Sequence, residues 1–222
     1  GVAEGKVVVT ATTANGKTAN ISVYVTKVAI DGTQDEVYNT VDAFATNGED
    51  IVTVKDVVLF GDKGLYMFAD ITDKFVGSNS HMECVLTFGD TVADSKTFQV
   101  RLYANGSIRA FKYDSKIVNS SNANWKWAED KGKSDLIKNI IYTVKTTDNG
   151  YAVEMFASYE AFGVTEKLEK MMIHPGVWAY TAADLKSNKM TNGLYKIGEA
   201  DLLSTEKCLA FDQYGYAAKM TS

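Results

Sequence analysis

The chain contains few of the residues that most often carry catalytic chemistry. Its 222 residues include one proline, two cysteines and two histidines. His81 and His174 complete no Ser-His-Asp, Cys-His or His-x-x-x-His pattern, so the sequence shows none of the usual nucleophile or zinc motifs. Carboxylates are numerous, but no two stand out as the pair that a glycoside hydrolase requires. We therefore expect a protein that is not an enzyme.

The charge balance argues against two classes of partner. Lys and Arg total 23 against 28 Asp and Glu, which gives a net charge of −5 and a pI of about 5.1. Because nucleic-acid binders usually carry a basic stripe, we expect no nucleic-acid partner. No apolar run approaches the roughly 18 residues of a membrane helix, so we expect no membrane insertion. The chain starts at Gly1 without a signal-peptide pattern, as we expect of a segment of a longer protein.

The two cysteines, Cys84 and Cys208, lie in apolar runs that resemble strands. Buried free cysteines are common in such runs, so two free thiols are the favoured interpretation. A disulfide between them stays open, because the sequence alone cannot pair cysteines. Their surroundings do not resemble a metal site.

Short alternating segments separated by glycine-containing turns dominate the chain. Turns at Asn15-Gly16, Asn105-Gly106 and Asp148-Asn149-Gly150 supply the left-handed backbone that tight hairpins need. The pattern predicts strands near residues 53–60, 64–72, 82–89, 97–104, 107–113, 140–147, 150–157, 171–174, 176–182 and 207–213, and short helical turns at 34–39, 135–138, 158–162 and 200–204. Because no long helices alternate with these strands, we predict an all-β protein, a β-sandwich of jelly-roll or immunoglobulin-like type with short helical turns.

The first 26 residues form a unit of their own in this pattern. Two apolar, β-branched segments flank the sequence Ala14-Asn-Gly-Lys17, which predicts a β-hairpin. The segment resembles the C-terminal end of a bacterial immunoglobulin-like domain of group 2. That resemblance implies a spacer domain ending at residue 26 and a main domain over residues 27–222. The alternative is that the hairpin is simply the first part of the main domain.

Three segments carry a second resemblance. They are Ile30-Asp-Gly-Thr-Gln-Asp-Glu36, Gly64-Leu-Tyr-Met-Phe-Ala-Asp-Ile-Thr-Asp73 and Asp148-Asn-Gly-Tyr-Ala-Val-Glu-Met155. In this order and spacing they resemble the family 9 type of carbohydrate-binding module, a β-sandwich. The resemblance implies non-catalytic binding of a polysaccharide or oligosaccharide by a secreted or cell-surface bacterial protein with further domains. Plant-type glycans and starch are the expected ligands, and a structural calcium ion is implied as possible, without assigned ligands.

Trp125 and Trp127 are the first candidates for sugar contact. They lie in Asn124-Trp-Lys-Trp-Ala-Glu-Asp130, directly after a polar Asn/Ser stretch. A flat aromatic ring stacks on the C–H face of a sugar, while nearby polar groups hydrogen-bond its hydroxyls. In an extended segment the two indoles share one face. The alternative is that one of them fills the sandwich core.

Further candidates are weaker on sequence grounds. The secondary aromatic contacts are Trp178, Tyr180 and Tyr103, and the polar partners are Asn124, Arg101 and Arg109. Strand aromatics usually pack in a core, and arginines are often solvated, so each has a structural alternative. Glu154 is the best single carboxylate, and we expect it to orient the backbone or to face solvent. The competing function is a structural or adhesive module that binds protein or cell wall, or only spaces other domains.

Overall fold

A computed structural model describes residues 5–26, 28–40, 44–45, 50–61, 63–89, 91–122, 125–131, 135–164, 171–190, 194–196 and 209–211. The strands are β1 (Gly5–Thr12), β2 (Thr18–Val25), β3 (Phe44–Ala45), β4 (Val52–Phe60), β5 (Gly64–Asp73), β6 (His81–Phe88), β7 (Thr97–Tyr103), β8 (Ile108–Tyr113), β9 (Trp127–Glu129), β10 (Ile140–Thr147), β11 (Gly150–Ser158), β12 (Met171–Trp178), β13 (Leu194–Lys196) and β14 (Leu209–Phe211). The α-helices are α1 (Asp135–Lys138) and α2 (Ala182–Ser187), and 3-10 turns span Glu36–Thr40 and Tyr159–Phe162.

The strands form three antiparallel sheets. β1 and β2 make a separate hairpin, and a five-stranded sheet has the order β10-β11-β5-β4-β3. A seven-stranded sheet has the order β13-β12-β6-β7-β8-β9, with β14 also paired to β12. The two larger sheets pack face to face around one apolar core. The predicted all-β sandwich is therefore confirmed.

The period-two alternation of strand side chains decides which residues enter this core. Met67 and Ile71 of β5 face Val100 and Leu102 of β7 across the same cluster, and all four are at most 1% exposed. The residues that alternate with them, such as Phe68 and Arg101, point to the outer faces of the sheets. Each outer face carries a smaller cluster of its own.

The outer face of the five-stranded sheet is covered by residues 28–40. The anchor is Glu154 on β11, which is fully buried and accepts the backbone N–H groups of Asp31 and Gly32, each at 2.9 Å, and the Tyr38 hydroxyl at 3.0 Å. Burial raises the pKa of Glu154, and these three donors partly offset the rise. The expectation that this carboxylate orients backbone is confirmed.

Position 32 requires a glycine for steric reasons. Its φ of +75° lies in the left-handed region that favours glycine, and a Cβ there would come within 2.9 Å of the Lys145 Cβ. The first and third segments of the family resemblance thus meet in space, because Asp31 and Gly32 belong to one and Glu154 to the other.

Two predicted strands, residues 171–174 and 176–182, were assigned wrongly. They are one strand, β12, which runs through Pro175 and ends at Trp178. On one edge of β12, β14 pairs with residues 171–173 and β13 with residues 176–178. This leaves Pro175 without a ladder partner on that edge among the described residues, and such positions tolerate a missing N–H.

Helix α2 replaces the rest of the predicted strand. Thr181 caps it: the Thr181 hydroxyl accepts the Asp184 N–H, and the Asp184 carboxylate accepts the Thr181 N–H. The predicted helical turns at 34–39, 135–138 and 158–162 are present within one or two residues, whereas the turn at 200–204 lies outside the described residues. Cys84 is a buried free thiol, as expected, and Cys208 is outside the described part of the chain.

A second buried carboxylate, Asp56, lies in the sandwich core itself. It is fully buried on β4, between the core residues Val54 and Val58. Burial raises its pKa from 3.8 to about 7, although the Val57 N–H partly offsets the rise. Its charge and the burial of Cys84 together raise the pKa of that thiol.

We predict that Glu154→Ala destabilises the fold by about 3–5 kcal/mol, because two backbone N–H groups and the Tyr38 hydroxyl lose their buried acceptor. Urea denaturation measures the loss. Limited proteolysis should also show earlier cleavage within residues 28–40. Glu36→Ala is the control, since Glu36 is exposed in the same segment. A Glu154→Ala protein as stable as the Glu36→Ala protein would contradict the anchoring role.

Asp56 should make the domain more stable in acid. A carboxyl group whose pKa is raised in the folded state holds its proton more tightly when folded. Its contribution is therefore fully present below about pH 4, lost as the pH rises to about 7, and on the order of 4 kcal/mol. Asp56→Asn should remove this loss, measured by urea denaturation across that range. Asp70→Asn, at an exposed position of β5, should leave the profile unchanged; parallel profiles for Asp56→Asn and the unmodified protein would refute the assignment.

Candidate functional site

The outer face of the seven-stranded sheet carries a concentration of aromatic and charged side chains. Because Met82, Leu102, Ala110 and Val177 point into the core, their strand neighbours point outward. We call this surface the polar-aromatic face; it comprises His81, Glu83, Arg101, Tyr103, Arg109, Phe111, Trp125, Trp127, Glu129 and Trp178.

One row of this face consists of three neighbouring aromatic rings. Strand register aligns Trp178, His81 and Tyr103 on β12, β6 and β7. The His81 ring is nearly parallel to Trp178, with centroids 5.9 Å apart and an angle of 13°, and its centroid lies 4.6 Å from that of Tyr103. The three rings therefore form a continuous aromatic strip across the sheet.

Two nitrogen atoms in this strip are buried without a hydrogen-bond partner among the described residues: Trp178 Nε1 and His81 Nε2. His81 Nδ1 lies 2.6 Å from the carbonyl oxygen of Asn79, which can only accept, so Nδ1 carries the proton. In neutral His81, Nε2 is then an acceptor, whereas Trp178 Nε1 is a donor. The strip thus contains one donor and one acceptor that are buried without a hydrogen-bond partner among the described residues, and the acceptor, His81 Nε2, lies 3.8 Å from Glu83 Oε2.

The next row contains an ion pair whose arginine lies over two aromatic rings. Arg101 Nε lies 2.8 Å from Glu83 Oε2 and donates to Gln99 Oε1 at 3.1 Å. The guanidinium carbon lies 5.0 Å from the ring centre of Phe111 and 5.6 Å from that of Trp125. Carboxylate, amide and ring contacts together fix the position of this arginine.

A second, more exposed ion pair lies beside the first. Arg109 Nε donates to Glu129 Oε1 at 2.7 Å, with 45% of the arginine side chain and 31% of the glutamate side chain exposed. The hydrogen bond raises the pKa of Arg109 and lowers that of Glu129. Each arginine of the face therefore has a carboxylate of its own.

Trp125 and Trp127, the first candidates for sugar contact, differ in exposure. Trp125 is half-buried and meets the edge of Phe111 at a centroid distance of 5.9 Å and an angle of 88°. Trp127 is 7% exposed and packs edge-on against Tyr113. Trp125 therefore reaches solvent more than Trp127 does, while both belong to the cluster on the outer face. Their contact with sugar stays a prediction.

The remaining predicted residues divide between the face and its surroundings. Trp178, Tyr103, Arg101 and Arg109 lie on the face. Tyr180 is fully buried and lies beyond the end of β12: its hydroxyl accepts the Asn79 N–H at 3.2 Å and lies 3.3 Å from Ser78 Oγ. Asn124 lies outside the described residues.

Sequence reasoning missed His81 and Glu83. The available signal was the alternation His81-Met82-Glu83-Cys84-Val85, in which two polar residues share one strand face. A buried carboxylate on such a face needs a partner, and Arg101 is directly opposite in the register.

The calcium expectation has no assigned ligands in this structure. Within the part of the chain that the structure describes, no three His, Cys, Asp or Glu residues form a group that could hold a metal ion. No helix in that part is long and apolar enough to cross a membrane.

Comparison with known proteins places the fold in a defined class. No protein-family model and no curated protein matches the chain. The fold is, however, similar to that of a family 9 carbohydrate-binding module from Caldicellulosiruptor kristjanssonii, solved in complex with glucose and in complex with cellotriose. Each comparison has a TM-score of 0.55 at 16% identity and covers 78% of this chain, with 83% of the glucose-bound chain and 81% of the cellotriose-bound chain. The chain thus has a fold like that of family 9 modules, as the sequence resemblance implied.

We predict that the two arginines differ sharply in their effect on stability. Arg101→Ala removes the cation 2.8 Å from the carboxylate of Glu83, which is 1% exposed, and should cost about 3–5 kcal/mol. Arg109→Ala breaks a solvent-screened pair and should cost at most about 1 kcal/mol. Guanidinium denaturation of both variants provides the comparison, and equal losses would argue against a buried Glu83–Arg101 pair.

Proposed function

We propose that this chain is a non-catalytic carbohydrate-binding module whose polar-aromatic face binds a polysaccharide or oligosaccharide. The observation that carries the proposal is the aromatic strip with its unused polar atoms, Trp178 Nε1 and His81 Nε2. Buried polar atoms without partners are costly and uncommon in folded proteins. A ligand that supplies both an acceptor and a donor over an aromatic surface would remove that cost.

Sugars have this combination of properties. Each hydroxyl both donates and accepts hydrogen bonds, and the C–H faces of a pyranose stack on aromatic rings. Trp125 and the Glu83–Arg101 pair lie on the same face, where they would add a stacking surface and further hydroxyl partners. The arrangement offers no nucleophile with an adjacent base, in keeping with binding rather than catalysis.

The fold neighbours support the same class of ligand. Both are structures of a carbohydrate-binding module holding a sugar, one with glucose and one with cellotriose. A β-glucan or its oligosaccharides are therefore the first ligands to test on this chain, while xylan and starch stay within the proposal. In the proposed setting, the module anchors a secreted or cell-surface bacterial protein to polysaccharide.

The hairpin of β1 and β2 supports a multidomain setting and favours one alternative function. Its Val7, Val9, Ile21 and Val23 side chains share one face and are each at least 44% exposed. Such an apolar face normally packs against another surface. We therefore propose that the hairpin belongs to an immunoglobulin-like spacer. The alternative is that the whole chain is a structural or adhesive module whose docking surface is this hairpin.

The test is affinity gel electrophoresis in soluble starch, xylan, β-glucan, mannan and pectin, with cellotriose titrated by calorimetry. We expect retardation in at least one polymer and a loss of affinity of about tenfold or more in Trp178→Ala and in Trp125→Ala. Trp178→Phe keeps a ring on His81 but removes the Nε1 donor, so it isolates the hydrogen bond from the stacking.

Tyr142→Ala is the control, because Tyr142 is an aromatic residue of β10 in the five-stranded sheet, where it packs against the core and is not part of the polar-aromatic face. Circular dichroism establishes that each variant is folded. Absence of binding to every polymer and to cellotriose would overturn the proposal and favour the structural alternative. Binding that survives all three tryptophan substitutions would retain a sugar-binding module but remove the polar-aromatic face as its site.

A further inference from the structure

Three side chains meet where the N-terminal hairpin contacts the sandwich. Lys6 Nζ on β1 donates to Asn139 Oδ1 at 3.2 Å and to the two carboxylate oxygens of Glu160 at 3.2 and 3.3 Å. Lys6 and Asn139 are 133 residues apart in the chain. The Lys6 amine is therefore within hydrogen-bond distance of both a carboxamide and a carboxylate, and the polar-aromatic face includes none of these three residues.

The surroundings of this triad are partly apolar. Asn139 is 5% exposed and lies between the core residues Leu136 and Ile140, while Glu160 precedes the buried Ala161. Only 25% of the Lys6 side chain is exposed, whereas 66% of the Glu160 side chain is. The Asn139 amide is thus buried, whereas the Glu160 carboxylate is exposed to solvent.

We propose that Lys6 and Asn139 react to form an intramolecular isopeptide bond. Nζ lies 3.2 Å from the amide oxygen of Asn139, and the carbonyl carbon that it would attack is bonded to that oxygen. Holding a nucleophile close to its electrophile in this way favours reaction. Lysine amines are nucleophiles when a neighbouring group removes their proton. The contact thus already holds the nucleophile against its electrophile.

The chemistry balances with the groups present. Glu160 accepts a proton from the Lys6 ammonium, and the free Nζ attacks Cγ of Asn139 to give a tetrahedral carbon. Glu160 then returns its proton to Nδ2, the Cγ–Nδ2 bond breaks, and ammonia leaves as the second Nζ proton is released. The product is a Cγ–Nζ amide, and the overall change is lysine ammonium plus carboxamide to amide plus ammonium. No oxidant, metal or external reagent takes part.

The bond would link the hairpin covalently to the sandwich. A two-stranded hairpin is marginally stable by itself, and its junction with the main domain otherwise includes an ion pair that salt screens. A covalent link at this point transmits tension from β1 into the sandwich without depending on the hairpin's own stability. It would also restrict the unfolded chain by closing a long loop.

Mass spectrometry of the full chain under denaturing conditions provides the test. We expect the intact protein to be lighter than its sequence mass by one ammonia. A tryptic digest should contain a branched peptide that joins the Lys6 and Asn139 segments, with no cleavage after Lys6. Asn-Gly sites can also lose ammonia by forming a cyclic imide, so the branched peptide is the decisive species.

Three variants separate the reaction from a simple contact. Lys6→Arg keeps the positive charge but cannot form the amide under these conditions, and Asn139→Ala lacks the electrophile, so both should lose the branched peptide completely. Glu160→Gln should greatly reduce its yield because the proton carrier is missing. Lys17→Arg, at an exposed position of the same hairpin, should leave it unchanged. An unbranched Lys6 peptide in the unmodified protein, even after prolonged incubation, would overturn the proposal and leave only an ion pair.

Discussion

The buried carboxylate of Glu154 is the interaction on which the layout of the molecule depends. It holds Asp31, Gly32 and Tyr38 against the outer face of the five-stranded sheet, so that this face becomes an apolar layer closed to solvent. Because burying a carboxylate is costly, the three donors are needed to make the position tolerable. With one outer face covered in this way, the outer face of the seven-stranded sheet is where the charged and aromatic side chains collect.

The outer face of the seven-stranded sheet carries a buried ion pair instead of a carboxylate held by neutral donors. Glu83 is buried with Arg101, and a buried ion pair of this kind is often no more stabilising than a well-packed apolar pair. The Glu83–Arg101 pair therefore contributes more to orienting the Arg101 guanidinium than to stabilising the fold. The guanidinium is held by Glu83, Gln99 and two aromatic rings, so its geometry is fixed before any ligand arrives. Under the proposed function, such preorganisation would reduce the entropy that the surface loses when a sugar binds.

The parts of the fold that were predictable are those coded by local patterns. Alternation and Asn-Gly turns located β7, β8, β10 and β11 to within about a residue. The continuity of β12 through Pro175 was not predictable, because it depends on where β13 and β14 pair along its edge. Helix α2 did have a local signal, the Thr181-Ala-Ala-Asp184 capping box, which ends the strand pattern before Tyr180.

The candidate site likewise combines features that local sequence patterns predict with features that depend on long-range strand pairing. Tryptophans and arginines could be nominated by residue type, but the strip of Trp178, His81 and Tyr103 exists only because β12, β6 and β7 are neighbours in one register. β12 lies far along the chain from the other two strands, so no local pattern could join them. Long-range register also explains why Tyr180, two residues beyond Trp178, is not part of the face: β12 ends at Trp178, and the chain turns into α2. Under the proposed function, the pairing of each arginine with its own carboxylate leaves no uncompensated cation on the face, which favours recognition of hydroxyl groups over recognition of acidic sugars.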